Sequence, residues 1–137
     1  MNVHKTEVRS TYKDTDQMKY VYHGKYVEFF EVARTEMLRD NGLTYKEIEA
    51  MGFMMPVHEV FVKYKSPAFY DEVLVIESVV NKIPTAKIHI DHVIRSKERD
   101  VVIVEGYVEL AIVDSKTMRP TRPPKVFVDL IKNFYGL

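Results

Sequence analysis

Between Tyr26 and Met37 the chain repeats its apolar residues at a helical spacing, and from Pro56 onward it alternates like a strand. Tyr26, Phe29, Phe30, Ala33 and Met37 fall at i, i+3, i+4, i+7 and i+11, which lays one apolar stripe along a helix. Glu28, Glu31 and Arg34 lie off that stripe. Gly42 suits the left-handed residue just past a helix end. Thr44 to Glu47 reads as a capping box that opens a short second helix, closed near Gly52. Upstream, His4 to Tyr12 alternates as a first strand, and a polar loop leads from it to a helix start near His23.

Val60, Val62 and Tyr64 alternate with Glu59, Phe61 and Lys63, and Ser66-Pro67 breaks that strand. Val73 to Val80 is apolar on both faces, as expected of a central strand. After a turn at Pro84-Thr85, Ile88, Ile90, His92 and Ile94 alternate with Lys87, His89, Asp91 and Arg95. Val101 to Val113 reads as one long strand, and Val126 to Phe134 as a closing helix behind Pro120, Pro123 and Pro124. No repeat, low-complexity segment or Gly/Ser linker divides the chain, so residues 1–137 read as one domain. A helix with one apolar stripe and a sheet with one apolar face bury each other, which predicts an α+β two-layer fold. A long antiparallel sheet wrapped around one central helix is the hotdog arrangement.

Composition narrows the function classes. Twenty basic and twenty acidic residues balance to a net charge of zero, so neither a nucleic acid nor an anionic membrane is the expected partner. The longest nearly apolar run, Val101 to Val113, is interrupted by Glu105 and Glu109, too short and too charged for a membrane span. The N-terminus has no apolar signal-peptide core, and the absence of cysteine excludes disulfides and thiolate metal sites. A cytoplasmic protein is the expectation.

Polar and aromatic residues are densest from Thr11 to Tyr26, in the strand-to-helix connection. Loops at helix starts carry outward-pointing N–H groups that can hold an anion or an oxyanion. Asp16 sits there, too far upstream of the helix to be its N-cap, with Tyr20, Val21 and Tyr22 as an apolar wall that would raise its basicity. An Asx turn is the plain alternative for Asp16 and for Asp14. His23, at the helix start, either contributes only polarity or offers its backbone N–H to an oxyanion. His89 and Asp91 share a strand face that His92 does not, so these residues do not form one metal site, and no metal or other cofactor is expected. His4 and His58 read as ordinary strand residues. No Gly-x-Ser-x-Gly elbow or Gly-rich phosphate loop is present. Lys19, Lys82, Lys87, Arg95 and Lys97 could meet a phosphorylated ligand but equally read as solvated charges.

The stretch that begins at Arg9 resembles the signature of the 4-hydroxybenzoyl-CoA thioesterase family. It is most similar to the branch of short acyl-CoA thioesterases associated in some bacteria with the Tol–Pal system. That branch reads Y-x-D-T-D-x-x-G-x-V-Y-H-x-x-Y, then F-x-E-x-A-R-x-E. Tyr12, Asp14, Thr15, Asp16, Val21, Tyr22, His23, Tyr26, Phe30, Glu31, Ala33, Arg34 and Glu36 match it in step. Tyr64 to Glu72 and Arg119 to Pro123 are similar to later family segments. The resemblance implies that Asp16 is the catalytic carboxylate and that the N–H at His23 polarises a thioester carbonyl, with the His23 imidazole as a further candidate. It also implies an acyl-CoA substrate and a homodimer or homotetramer with sites at the dimer interface. Tyr12, Tyr22, Tyr26, Pro56 and Val57 are the residues expected to bind substrate. Lys19 stands where the family usually has glycine and Gly24 where alanine is common, so the loop and pocket are expected to differ. Pro84-Thr85 lies near where one family enzyme places basic residues for the nucleotide, and those contacts do not carry over.

A thioester has a good leaving group, so an oxyanion donor and one carboxylate suffice, with the carboxylate acting as base or as nucleophile. Two rivals share the expected fold. One is a hotdog acyl-CoA hydratase or dehydratase, and the other a non-catalytic acyl-CoA-binding protein.

Overall fold

The computed structural model describes residues 2–137. Its elements, in chain order, are β1 (His4–Arg9), α1 (Lys25–Asp40), α2 (Tyr45–Ala50), β2 (Phe53–Met54), β3 (Val57–Tyr64), β4 (Val73–Val79), β5 (Lys87–Ser96), β6 (Val102–Ala111), β7 (Val113–Asp114) and α3 (Lys125–Tyr135). Five strands form one antiparallel sheet in the order β1-β4-β5-β6-β3, and β2 pairs β7 in a small ribbon. The apolar stripe of α1 is its buried face: Tyr26, Phe29, Phe30, Ala33 and Met37 are all buried against this sheet. This is the expected α+β hotdog arrangement, a sheet wrapped on one central helix.

Period-2 patterning places β5 well. Ile88, Ile90, His92 and Ile94 face α1 and are buried, while Lys87, His89, Asp91 and Arg95 face outward. Phe30 stacks on the His92 ring with centroids 4.6 Å apart and planes 16° from parallel. Beside it, a Cβ at Gly106 would collide with the Phe61 carbonyl and lie 3.2 Å from the Phe30 ring. Position 106 must therefore lack a side chain if β3 is to keep its pairing with β6, and a Cβ there would also crowd the Phe30 ring of α1. At the far end of α1, Met37 and Leu38 pack with Ile48 of α2 and with Phe127, Ile131 and Tyr135 of α3. The buried Tyr135 hydroxyl donates to the Ser78 carbonyl at 2.9 Å, which ties the closing helix to β4.

Several boundaries differ from the sequence reading. β1 ends at Arg9 because Ser10 bonds back to Glu72 and Thr11 opens a 3-10 turn over Tyr12–Asp14. The helix starts at Lys25, with Gly24 as its N-cap, because Tyr22 to Lys25 form a turn. Arg34, off the apolar stripe, is nevertheless buried, since α2 covers it and its Nε donates to the Tyr45 hydroxyl at 3.2 Å. Val101 to Val113 is not one strand: β6 stops at Ala111, and Val113 leaves the sheet to pair with β2. On β3 the alternation yields no buried face. Only Val62 is even half-buried, because β3 is an edge strand that α1 barely covers.

His92 supplies a test of this core. Its Nδ1 pairs with the Ser78 hydroxyl at 3.0 Å, and its buried Nε2 has no partner among the described residues. Burial, with the Arg34 charge as a lesser cause, pushes the imidazole from its ordinary 6.5 down to about 3. The unfolded chain takes up a proton near pH 6.5 that the folded core refuses, so this contribution is whole above pH 6.5 and is lost as the pH falls toward 3. Between pH 7 and pH 5 the loss should be about 2 kcal/mol, readable by urea unfolding. His92→Gln should show a correspondingly flatter pH dependence. Equal pH slopes for the two proteins would mean that the wild-type imidazole is not held neutral.

Candidate active site

The connection between β1 and α1 folds as a small hairpin. Thr15 bridges Val21, and the Asp16 N–H donates to the Tyr20 carbonyl at 2.9 Å. The turn closes when Lys19 N–H donates to the Asp16 carbonyl at 2.9 Å, which places Lys19 at φ 66. A left-handed backbone suits glycine, so the residue that departs from the family pattern sits at the strained point of the loop. One carboxylate oxygen of Asp16, Oδ1, accepts the Met18 N–H at 2.8 Å, and this is the Asx turn weighed from the sequence. The other oxygen accepts from no group among the described residues. Asp16 is exposed in the protomer, so Tyr20 and Val21 stand beside it without enclosing it as the expected apolar wall.

Asp14 points the other way, into the fold, and is 4% exposed. Its Oδ2 accepts from the Thr11 N–H at 2.7 Å and the Thr11 hydroxyl at 3.0 Å. Lys25 Nζ stands 3.1 Å from Oδ1, misaligned for a hydrogen bond but in ion-pair range. The two form an ion pair, which supplies the countercharge that a buried carboxylate needs. Burial alone would raise the Asp14 carboxyl, but the Thr11 and Lys25 contacts outweigh it and hold it below the usual range. A cation in the first turn opposes the helix dipole, and the Asp14 pair, with Glu28 at 3.3 Å, offsets that cost. Asp14 is thus a structural anchor, and its carbonyl also accepts the Tyr22 N–H at 2.7 Å.

A second segment straps the hairpin from the side. The Val21 N–H donates to the Ala68 carbonyl at 2.8 Å, and Tyr20 bridges Phe69. That segment is held by Glu72, whose carboxylate takes Arg99 in a two-point contact at 2.7 and 2.9 Å and the Ser96 hydroxyl at 2.6 Å. Burial would raise the Glu72 carboxyl, but these donors hold it below the ordinary value.

Between the hairpin and the strap lies a cavity of about 310 Å³, lined by Asp16, Tyr20, Val21, His23, Tyr26, Tyr64, Lys65, Ser66 and Pro67. The backbone N–H groups of His23 and Gly24 find no acceptor among the described residues. Burial pushes the Tyr26 phenol up to about 12, so it stays protonated in this wall. Of the residues expected to bind substrate, Tyr26 lines the cavity and Tyr22 lies next to it, its ring tilted 44° against the His23 ring with centroids 4.3 Å apart. Tyr12 is exposed and packs on Tyr70, outside the cavity lining. Pro56 and Val57 lie at the opposite end of β3 and do not reach the cavity within one protomer. Tyr64 and the Lys65–Pro67 turn were not singled out as site residues. Their signal was an aromatic ending a strand just before Ser66-Pro67.

Elsewhere, His89 lies 3.1 Å from both Glu109 and Asp91 on the outer sheet face, and His92 is buried on the inner one. Among the described residues no group of three or more His, Asp or Glu could hold a metal ion. Lys82 and Lys87 line an outer cleft of about 450 Å³, and Arg122 and Lys125 line another of about 640 Å³. Both are larger than the Asp16 cavity, yet neither contains Asp16 or the helix start, and the smaller cavity is the candidate site. No helix among the described residues is long and apolar enough to cross a membrane.

Residues 10–131 match the Thioesterase-like superfamily. The acyl-CoA thioester hydrolase YbgC of Escherichia coli O157:H7 is 32% identical over 122 residues, covering 88% of this chain and 90% of that protein. The acyl-CoA thioesterase YbgC of Haemophilus influenzae is 33% identical over 119 residues, with 86% of each chain covered. Among solved structures, DHNA-CoA thioesterase from Staphylococcus aureus superposes with a TM-score of 0.84 at 31% identity, covering 89% of this chain and 81% of that one.

Relieving the strained turn should be measurable. Lys19→Gly is expected to raise stability by about 1 kcal/mol, since glycine adopts the left-handed backbone without penalty. Chemical unfolding of the two proteins reads this directly. An unchanged or lowered midpoint would show that the loop does not hold the left-handed turn in solution.

Proposed function

We propose that this chain, which belongs to the Thioesterase-like superfamily, hydrolyses an acyl-CoA thioester to a free acid and CoA in the Asp16 cavity. One observation carries this reading. Among the described residues, a carboxylate with an oxygen that accepts from no group and two backbone N–H groups without an acceptor line or adjoin one cavity at a helix start. Because the Tyr22 carbonyl accepts the Lys25 N–H, the trans peptide directs the His23 N–H away from the helix. A thioester carbonyl seated against that N–H would have its developing oxyanion stabilised. Asp16 then either takes a proton from attacking water or attacks the carbonyl itself, forming a mixed anhydride that water cleaves. In both routes the thiolate of CoA leaves and is protonated. The His23 imidazole is a second candidate at the same edge, and Tyr22 and Tyr26 are the aromatic surface offered to the acyl-CoA. An acyl-CoA substrate places the work in the cytoplasm in this reading.

The same reading includes a homodimer, with a homotetramer as its further assembly. β3 is an edge strand with Val57, Val60, Phe61 and Tyr64 exposed, an unpaired and apolar edge. Antiparallel pairing of two such edges about a two-fold axis between Val60 and Phe61 would set Val57 of the partner subunit opposite Tyr64. Pro56 and Val57 would then approach the Asp16 cavity across the interface, and the partner would supply the apolar cover that Asp16 lacks. Light scattering should report a dimer or larger, and Val60→Lys combined with Phe61→Lys should shift it toward monomer with loss of turnover. A wild-type monomer at active concentrations would sink this part.

Asp16→Asn removes charge and basicity while preserving the Asx turn. On a panel of acetyl-, hexanoyl-, palmitoyl- and benzoyl-CoA, followed by free-thiol release, turnover should fall by a factor on the order of 10²–10⁴. Affinity should change far less. Asp14→Asn, the matched control, should instead cost stability, on the order of 1–3 kcal/mol for a buried charged cluster. Near-wild-type turnover in Asp16→Asn would overturn the assignment, and hydration of an enoyl-CoA without thiol release would replace it with the hydratase reading.

A further inference from the structure

We propose that Tyr64 is a positioning residue for the reaction, acting through the turn that presents the His23 and Gly24 N–H groups. This rests on the thioesterase reading above and adds to it a residue outside the β1–α1 loop. The Tyr64 hydroxyl donates to the His23 carbonyl at 2.9 Å, a bond spanning 41 residues of sequence. That carbonyl lies one residue before the N-cap, outside the helical ladder, and would otherwise face solvent. The peptide joining His23 to Gly24 is planar and trans, so holding its C=O also fixes the direction of the Gly24 N–H.

The Tyr64 ring is placed for this. It packs edge-on against the buried Tyr26 at 5.8 Å, and both rings line the Asp16 cavity. Immediately after it, the Lys65 and Ser66 N–H groups both donate to the Ile103 carbonyl, which anchors the end of β3. The hydroxyl therefore hangs from a fixed strand end. Tyr64 is also 53% exposed, so the core does not depend on it. A hydroxyl on a surface residue that reaches back to a helix-start carbonyl serves the geometry of the turn.

Tyr64→Phe keeps the ring and deletes only the donor. In this variant kcat should fall about tenfold, the usual worth of one hydrogen bond in a positioned site. KM should stay within about threefold, the pattern of a group felt in the transition state rather than in substrate binding, and the melting temperature should move by no more than a few degrees. The kinetic probe is whichever of hexanoyl- or benzoyl-CoA the wild type hydrolyses faster. The chain contains five glycines, so a ¹⁵N-glycine spectrum reads the turn without reference to activity. The Gly24 amide should shift in Tyr64→Phe, because its nitrogen belongs to the peptide whose carbonyl loses the bond, while Gly42, Gly52 and Gly136 should not.

An unmoved Gly24 signal overturns the proposal, as does a shifted signal with unchanged kcat. A raised KM at constant kcat makes Tyr64 a substrate contact instead. Should Tyr64→Phe unfold, the role is structural and the proposal fails. A wild-type protein inactive on the whole panel defeats the thioesterase reading itself. A Gly24 shift would in that case leave Tyr64 a strut of the turn, with no reaction to position.

Discussion

Everything in this fold depends on how closely α1 lies on its sheet. Phe30 sets that distance, stacked on the His92 ring and lowered over Gly106, where any side chain would collide with neighbouring backbone. Dispersion and burial favour the contact, and truncating such a ring typically costs about 3–5 kcal/mol. Its larger consequence is geometric. With the middle of the helix fixed, the buried Tyr26 and Phe29 of the first turns and Met37 of the last turns take their places in two clusters. The helix start then falls at the edge of the sheet, beside the hairpin that carries Asp16.

The site is assembled on that edge by polar contacts whose members are far apart in sequence. Asp14 and Lys25 tie the hairpin to the helix, and Glu72 and Arg99 tie the Ser66–Glu72 strap to the β5–β6 turn. Both carboxylates are buried and held ionised by their donors, so each is an anchor that cannot be half removed. Between these two clusters the hairpin holds a left-handed lysine, and the turn that follows it carries two N–H groups without an acceptor among the described residues. Unsatisfied donors and local strain concentrated in a cavity, with well-satisfied networks on either side, are what a preorganised site requires.

The open edge of β3 follows from the same economy of cover. One sixteen-residue helix shields the inner face of the central strands and leaves the last one bare. Aromatic and β-branched residues on that bare strand suit contact with another surface better than contact with water. Asp16, exposed in a single chain, lacks the desolvated surroundings that its neighbours in sequence promised.

The sequence by itself determined the main elements and the layers. The α1 stripe, the alternation of β5, the Thr44–Glu47 capping box and the left-handed Gly42 are local patterns, and each occurs where it was read. The loop around Asp16 was legible too, because helix-start chemistry and a motif of closely spaced residues are local. Tertiary structure alone decided the rest. Whether Asp16 or Asp14 faces the cavity turns on Lys25 and Thr11, and the burial of Arg34 turns on α2. The join of Tyr64 to His23 is a contact that no window along the chain contains. Periodicity reports which face of an element is apolar, and only packing decides which of those faces another element covers. For that reason β3 alternates in sequence yet buries no residue fully, and the edge of the candidate site was invisible until the sheet was in place.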